Sequence, residues 1–546
     1  MKIALCQFNP IIGDLEGNKE KILDGYLKGV KDGVDLVMFP ELAICGYPPQ
    51  DLIEKQEFRD AINKASGELA QNTGKVGLLF GSIVEEFDSI GTGIYNAAIL
   101  CYDGELKFVQ KKTLLPNYDV FDEERYFESA KEVKVHQFKG EKLGISICED
   151  IWNDADYWKH RRYEVDPVQR LVDKGASVLL NISASPYGYG RRVERLEMLS
   201  KLTLTDKLPL AYCCCAGAQT DLIFDGASMC YNASGELVML GKKFAEDYFV
   251  FDTCQEYPVI NEVEGTFEEE VLEALIYGLK DYASKSGFKK ALVGLSGGID
   301  SALVTYIAAE AFGAENVHVI MMPSKFSSGG SVSDSEKLIS NLGISSSNVS
   351  IQPVVDSVIE QLKPLFGDKP EDVTEENIQA RVRGLYLMAL SNKFNYMLCT
   401  TGNKSEVAVG YATLYGDMCG ALAVIADVYK TQVYDICRYI NREKEIIPGE
   451  IIEKAPSAEL RPDQKDQDSL PSYEVLDQIL RMYLEEYKES KEISKIVGDE
   501  ELVLSILKMV DRNEFKRKQA APALRVSTKA FGYGRRFPIV QKWNRK

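Results

Sequence analysis

The feature that most constrains this chain is Leu295-Ser296-Gly297-Gly298-Ile299-Asp300-Ser301. It follows a short apolar run, Ala291 to Leu295, and opens a stretch of helical periodicity over residues 300 to 312. A buried strand that turns into a helix through two glycines brings main-chain N–H groups close to whatever sits in the turn. The positive end of the helix favours negative charge there, and the Ser296 and Ser301 hydroxyls can donate to it. The segment is therefore a candidate phosphate loop. It is not a Walker A loop, which needs a lysine and a longer turn. A second strand pattern at Val317 to Met321 and a helical pattern over 268 to 285 complete a βαβ order, which predicts a doubly wound parallel sheet.

Composition narrows the rest. The chain has 546 residues, and at ~150 residues per domain this leaves room for several cores. With 64 Lys+Arg against 83 Asp+Glu, the net charge is −19, which disfavours a nucleic-acid partner. No apolar run approaches the ~20 residues of a membrane span. The amino terminus lacks the pattern of a secretory signal, and the contiguous Cys213-Cys214-Cys215 run suits no ordinary disulfide framework. We expect reduced thiols in a cytoplasmic protein, with the cysteine run serving packing. The three histidines fall in no zinc-binding pattern, so a metal would be held by carboxylates.

Before residue 260 the chain alternates strand-like runs (2 to 8, 34 to 39, 76 to 84, 94 to 102, 142 to 148, 176 to 182) with helical patterns at Asn18 to Val30 and Arg191 to Asp206. An acidic stretch, Asn261 to Glu270, then leads into the second half. This gives two α/β domains, 1–260 and 261–546. The Ser/Gly-rich residues 324 to 335 predict a mobile loop, either a lid or a plain connector. From Arg512 to Lys546 there are eleven basic residues and one acidic residue, Glu514. Such a tail fits either a phosphate-facing or acidic-partner surface, or a solvated basic face.

In the first domain, Glu41, Lys112 and Cys148 fall at strand-end or loop positions. A thiol can attack an amide carbon, a carboxylate can take and return its proton, and an ammonium can stabilise the oxyanion. Together they have the chemistry to hydrolyse a carboxamide.

Two resemblances sharpen these readings. The Ser-Gly-Gly-x-Asp-Ser loop resembles that of the adenylating ATP pyrophosphatases. Within that group Glu376 to Gly384, Thr401-Gly402-Asn403-Lys404-Ser405-Glu406, Gly410 to Asp417 and Pro456-Ser457-Ala458-Glu459-Leu460 resemble NAD synthetases. The resemblance implies that ATP adenylates the carboxylate of nicotinic acid adenine dinucleotide (deamido-NAD) before ammonia makes the amide. It implies that Leu295 to Ser301, Thr401, Lys430 and Ser457 bind ATP. It also implies that Asp300 and Glu406 hold Mg²⁺, and that Asn377, Glu406 and Lys516 meet deamido-NAD.

Residues 2 to about 250 resemble the nitrilase superfamily through Phe39-Pro40-Glu41, Lys112-Thr113-Leu114-Leu115-Pro116 and Cys148-Glu149-Asp150-Ile151-Trp152. This implies an αββα sandwich with Cys148 as nucleophile, Glu41 as base and Lys112 beside the oxyanion. Tyr118, Ser185 and Arg191 would line a glutamine pocket, and a further carboxylate near the triad would be Glu123 or Glu124. The two halves together imply a glutamine-dependent NAD synthetase that passes ammonia through a tunnel and assembles as a homo-oligomer. The alternatives are an amidase with a nucleotide-sensing domain, or a synthetase using ammonia alone.

Overall fold

The computed structural model describes residues 1–87, 91–261, 265–462 and 464–543. The chain divides into two compact units, Met1–Glu264 and Gly265–Lys546. Part of the acidic stretch, residues 262–264, and the last two basic residues of the tail, Arg545 and Lys546, lie outside the described residues.

The first unit contains two six-stranded sheets. One runs in the spatial order Asp247–Asp252, Lys2–Gln7, Leu36–Met38, Gly77–Glu85, Ile94–Tyr102, Glu105–Lys111; the other runs Leu237–Leu240, Met229–Tyr231, Leu210–Cys214, Val178–Ser183, Glu141–Ile147, Val135–Phe138. Alternation along the strands sorts their side chains into layers. Ile3, Leu5, Leu36 and Met38 from one sheet and Ile145, Ile147, Leu180 and Ile182 from the other share a core between the sheets. Ala4, Cys6, Val37 and Phe39 point the opposite way, onto helices Leu15–Lys31 and Gln56–Gln71. Helices Pro167–Asp173 and Arg191–Asp206 cover the outer face of the second sheet. The result is the four-layer αββα sandwich, in which two sheets each bury both faces.

All twelve cysteines are free. Cys213 packs between the sheets and Cys214 against the outer helices, and both are fully buried.

The second unit is built on a five-stranded sheet in the order Ser345–Asn348, Val317–Met321, Ala291–Gly294, Met397–Thr400, Leu422–Ala423, with every pairing parallel. The chain moves outward from Ala291–Gly294 in one direction and then returns to its other side. That reversal lies between Ala291–Gly294 and Met397–Thr400, and it opens a crevice at their carboxyl ends where ligands of such sheets bind. A helical cluster of Tyr473–Leu484, Ser490–Val497 and Glu500–Arg512 shares an apolar core.

Two sequence expectations are corrected. Residues 324–335 are not a loop throughout, because helix Gly329–Leu342 begins inside them. Ser328 caps that helix through the Ser331 N–H, and Glu459 accepts from the Ser328 and Ser331 hydroxyls, so serines that favour turns in isolation here satisfy a helix end. The basic tail is not simply a solvated face either: Arg517 and Arg525 are buried, and Glu514 takes ion pairs from Arg517 at 3.0 Å and Arg535 at 2.7 Å.

Candidate active sites

The first site gathers at the carboxyl ends of three strands. Glu41 lies beyond Leu36–Met38, Lys112 follows Glu105–Lys111, and Cys148 follows Glu141–Ile147. Lys112 is fully buried, and its Nζ donates to Glu41 Oε1 at 2.7 Å and to Glu123 Oε1 at 2.8 Å. The structure thereby decides between the two neighbouring glutamates. The turn Glu123–Arg125 aims Glu123 inward, where the Tyr47 hydroxyl also donates to it at 2.9 Å, while exposed Glu124 pairs with Asn117. Glu41 is held by the Asn96 amide at 2.7 Å and by the Ala184 N–H at 2.9 Å. Neither of those two donors stands out in the sequence, since one is a core asparagine and the other a backbone group.

Cys148 sits at a sharp turn from strand into the short helical turn Cys148–Ile151, with φ +43°. A non-glycine residue in this left-handed region stores strain of about 1–3 kcal/mol, a feature that collects at functional sites. Asp150 fixes the turn by accepting from the Ile147 N–H at 3.1 Å and from the Thr113 and Leu114 N–H groups at 3.0 and 2.8 Å. The same carboxylate thus ties the Cys148 turn to the loop after Lys112.

The electrostatics follow from this enclosure. Burial, followed by the Glu41 charge, pushes the Cys148 thiol well above its usual range, with Lys112 acting the other way. Burial alone would lower the Lys112 ammonium, but the Glu123 and Glu41 carboxylates outweigh it and hold it well up. Glu123 is pushed up to about 7 by burial, against the pull of Lys112. The Cys148 thiol, Glu41 and Lys112 are thus enclosed together.

Tyr118, Ser185 and Arg191 are half-buried. The Tyr118 hydroxyl donates to Glu149 at 2.8 Å, Tyr163 donates to the same carboxylate at 3.0 Å, and the Arg162 guanidinium lies 3.7 Å from the Tyr118 ring centre. Arg191 pairs with Glu194 at 2.9 Å at the start of its helix, and the Ser185 carbonyl faces the Cys214 thiol at 4.0 Å. Glu149, next to Cys148, joins this group although sequence reasoning gave it no role.

The second site occupies the crevice of the parallel sheet. Gly297 has φ +80°, and a Cβ there would run into the Ser331 carbonyl, so only glycine fits the turn. Ser296 Oγ lies 3.1 Å from Ser301 Oγ and accepts from the Gly298 N–H at 3.3 Å. Both hydroxyls are thus collected at the start of helix Ile299–Phe312. Asp300, on the first turn, accepts from Asn403 at 3.0 Å and pairs with Lys430. Lys430 Nζ also lies 3.4 Å from Glu406, while Asn403 caps the helix that carries Glu406. Lys430, unremarkable in sequence, is therefore buried between two carboxylates brought from distant segments. The Lys430 N–H donates to Ser405 Oγ at 2.9 Å, and Ser405 donates to Asp477 at 2.5 Å, which fixes the helix start.

Burial pushes Glu406 up to about 8, with Lys430 opposing and Asp300 adding to the rise. Two carboxylates facing one ammonium leave room for further positive charge. Among the described residues no three His, Cys, Asp or Glu side chains are grouped to hold a metal ion. A divalent cation at Asp300 and Glu406 would take its other oxygens from phosphate and water, the usual habit of Mg²⁺.

The remaining expected residues lie elsewhere in the second unit. Thr401 follows strand Met397–Thr400. Asn377 and Lys516 converge on one segment, Asn377 accepting from Thr413 Oγ1 at 2.8 Å and Lys516 donating to the Gly410 and Ala412 carbonyls at 2.7 Å each. Ser457 Oγ accepts from the Glu459 N–H at 3.2 Å in the segment whose glutamate reaches Ser328 and Ser331. Lys404, inside the Thr401–Glu406 segment, turns away into a buried network with Asp427 at 3.0 Å and Glu485 at 2.7 Å, a structural anchor.

Comparison with known proteins matches each unit to a family. The carbon-nitrogen hydrolase family matches residues 2–254, and the NAD synthase family matches residues 271–520. The glutamine-dependent NAD(+) synthetase of Synechocystis sp. is 44% identical over 99% of this chain and 99% of its own. The chain belongs to the glutamine-dependent NAD(+) synthetase family. Its counterpart from Thermotoga maritima is also 44% identical, over 100% of this chain and 99% of the relative. The solved structure of the family member from Acinetobacter baumannii, in complex with adenosine diphosphate, matches with a TM-score of 0.77 and 37% identity over 98% of each chain. That from Cytophaga hutchinsonii, 22% identical, shares the fold with a TM-score of 0.84 over 99% of this chain and 98% of its own. No helix among the described residues is long and apolar enough to cross a membrane.

Proposed function

We propose that the chain amidates deamido-NAD to NAD with ATP, using ammonia released from glutamine in the first unit. The observation that carries this reading is the buried Glu41–Lys112–Glu123 cluster beside Cys148, an amide-hydrolysing set in a chain that also holds the Ser296–Ser301 loop. Glutamine would lie against Tyr118, Ser185 and Arg191. Glu41 takes the Cys148 proton as the thiol attacks the carboxamide carbon, and Lys112 faces the developing oxyanion. Glu41 then returns the proton to the leaving ammonia, and water releases glutamate from the thioester.

In the second unit, the loop from Leu295 to Ser301 takes the ATP phosphates, with Thr401, Lys430 and Ser457 holding other parts of the nucleotide. Asn377, Glu406 and Lys516 meet deamido-NAD. Asp300 and Glu406 would hold Mg²⁺, which supplies positive charge against the phosphates when bound. Lys430 supplies a fixed cation to the same region. The deamido-NAD carboxylate attacks the α-phosphorus, pyrophosphate leaves, and ammonia displaces AMP from the adenylate to leave the amide. Ammonia is mostly protonated in neutral water, so sheltered transfer between the two reactions follows from its chemistry. The reading places the enzyme in the cytoplasm, as a homo-oligomer.

The test is NAD formation from deamido-NAD, ATP and Mg²⁺, with glutamine or with ammonium, following AMP and pyrophosphate. Product from both donors is expected. Product from ammonium alone would demote the first unit to an amidase with another substrate, and product from neither would favour a nucleotide-sensing role for the second.

A further inference from the structure

One cation beside the second site has no part in the reactions above. Arg383 lies on helix Val373–Phe394, and its Nε donates to the Met322 carbonyl at 3.2 Å. Met322 follows strand Val317–Met321, so the guanidinium is tied to the carboxyl end of that strand. Leu387, one helical turn further along the same face, reaches the neighbouring strand: a Cβ on Gly294 would stand 3.3 Å from the Leu387 side chain and 3.5 Å from that of Met322. Gly294 ends strand Ala291–Gly294 and leads into the loop from Leu295 to Ser301, and the Leu295 N–H donates to the Ile320 carbonyl at 3.0 Å. Arg383 therefore stands at the rim of the crevice, beside the start of that loop.

The guanidinium lacks a counter-charge there. Arg383 is half-buried, and burial pushes it down to about 10, with Glu459 and Asp417 opposing. It stays charged at neutral pH, yet no ion pair, and no hydrogen bond besides the one to Met322, engages it among the described residues. The two opposing carboxylates are occupied elsewhere, Glu459 by Lys454 at 2.9 Å and by the Ser331 hydroxyl at 2.7 Å, Asp417 by the Thr413 N–H at 2.8 Å. With only Nε on a carbonyl, the two terminal amines remain as a planar fork of the kind that fits a phosphate oxygen pair. A partly desolvated cation without a counter-charge is unfavourable, and here the counter-charge has to come from a ligand.

Position selects the anion. Lys430 opens the helix that follows strand Leu422–Ala423, on one side of Ala291–Gly294, and Arg383 is tied to Val317–Met321 on the other. The Leu295–Ser301 loop issues from the strand between them. We infer that the terminal amines of Arg383 bind a phosphate group of ATP, as a second fixed cation on the other flank of the loop from Lys430. The inference rests on the ligase reading and adds to it a phosphate contact from helix Val373–Phe394. The other source of the same chemistry is the diphosphate of deamido-NAD, expected to meet Asn377 on that helix, and the experiment separates the two.

The experiment uses the full chain carrying Arg383→Gln, together with Arg383→Lys, which keeps the charge without the fork. Ammonium-dependent NAD formation is titrated against ATP and against deamido-NAD, with inorganic pyrophosphate and adenosine as inhibitors competing with ATP. For Arg383→Gln the KM for ATP and the inhibition constant of pyrophosphate should rise about tenfold or more, while the KM for deamido-NAD and the inhibition constant of adenosine change less than about twofold. Arg383→Lys should fall between Arg383→Gln and the wild type. A rise confined to the KM for deamido-NAD would move the contact to the dinucleotide, equal weakening of pyrophosphate and adenosine would make Arg383 a structural support of the crevice, and unchanged constants would leave it without a ligand; each of these overturns the assignment. A wild type that forms no NAD would remove the ligase reading itself. Calorimetric binding of ATP to the wild type and to Arg383→Gln would still test the contact, with equal affinities counting against it.

Discussion

Lys112 in the first unit and Lys430 in the second each bridge two carboxylates. Lys112 and Glu41 are fully enclosed, whereas the Asp300 and Glu406 side chains keep 16% and 17% of their surface. In the first cluster Lys112 is paired with both carboxylates, while Glu123 Oε2 is buried without a partner. Asn96 and the Ala184 N–H support Glu41, Tyr47 supports Glu123, and the reacting thiol is covalently present. In the second cluster the two carboxyl groups share one ammonium, and burial pushes Glu406 up to about 8. The same motif is thus fully enclosed in one place and partly open in the other. That difference matches a hydrolytic half that needs only its amide and a ligase half that must handle a nucleotide triphosphate.

The comparison can be broken most sharply at the thiol. Cys148→Ala should lower glutamine-dependent synthesis by at least about 10³-fold, because the covalent route is removed, while ammonium-dependent synthesis stays within about twofold. Steady-state rates with the two donors check this, and equal loss with both would deny the first cluster its independence. Asp300→Ala should reduce synthesis with either donor by about 10²–10³-fold through lost charge and position at the phosphates. Glutamate release measured without deamido-NAD should persist in that variant.

Gly297→Ala sharpens the second cluster. The φ of +80° and the Ser331 carbonyl leave no place for a Cβ, and a strain of about 1–3 kcal/mol should raise the KM for ATP roughly tenfold. Titration of synthesis against ATP reads this, and an unchanged KM would show that the loop does not shape the nucleotide site.

The smallest effect tests the enclosure of Glu123. Its folded-state value is raised from 4.5 to about 7, so the native protein keeps a proton that the unfolded chain gives up. The stability this adds is fully present below pH 4.5 and is lost as pH rises through about 7. Glu123→Gln cannot titrate, so the wild type should lose stability relative to it between pH 4.5 and pH 8. Urea unfolding at the two pH values measures that gap, and a gap independent of pH would mean that Glu123 is not desolvated as described.

Much of the architecture is legible in the sequence where periodicity is strong. Helix Arg191–Asp206 and strand Val317–Met321 stand where the patterns put them, because each buries one regular face or run. Helix Gly329–Leu342 was hidden because its first turn is made of serine and glycine, and its stabilising cap partner, Glu459, lies far along the chain. The choice of Glu123 over Glu124 could not be read from spacing, because one short turn decides which of two adjacent side chains meets Lys112. Lys430 illustrates the same limit, since it acquires its meaning only from the carboxyl groups packed against it. The buried arginines of the tail look solvated in sequence because Glu514 and backbone carbonyls neutralise them only in the fold.

The most direct test of two separate, complementary clusters is a crossed assay of Cys148→Ala and Asp300→Ala, scoring glutamine hydrolysis and ammonium-dependent NAD formation for each. The account predicts that Cys148→Ala loses only hydrolysis and that Asp300→Ala loses only synthesis. Loss of both activities in either variant would contradict it.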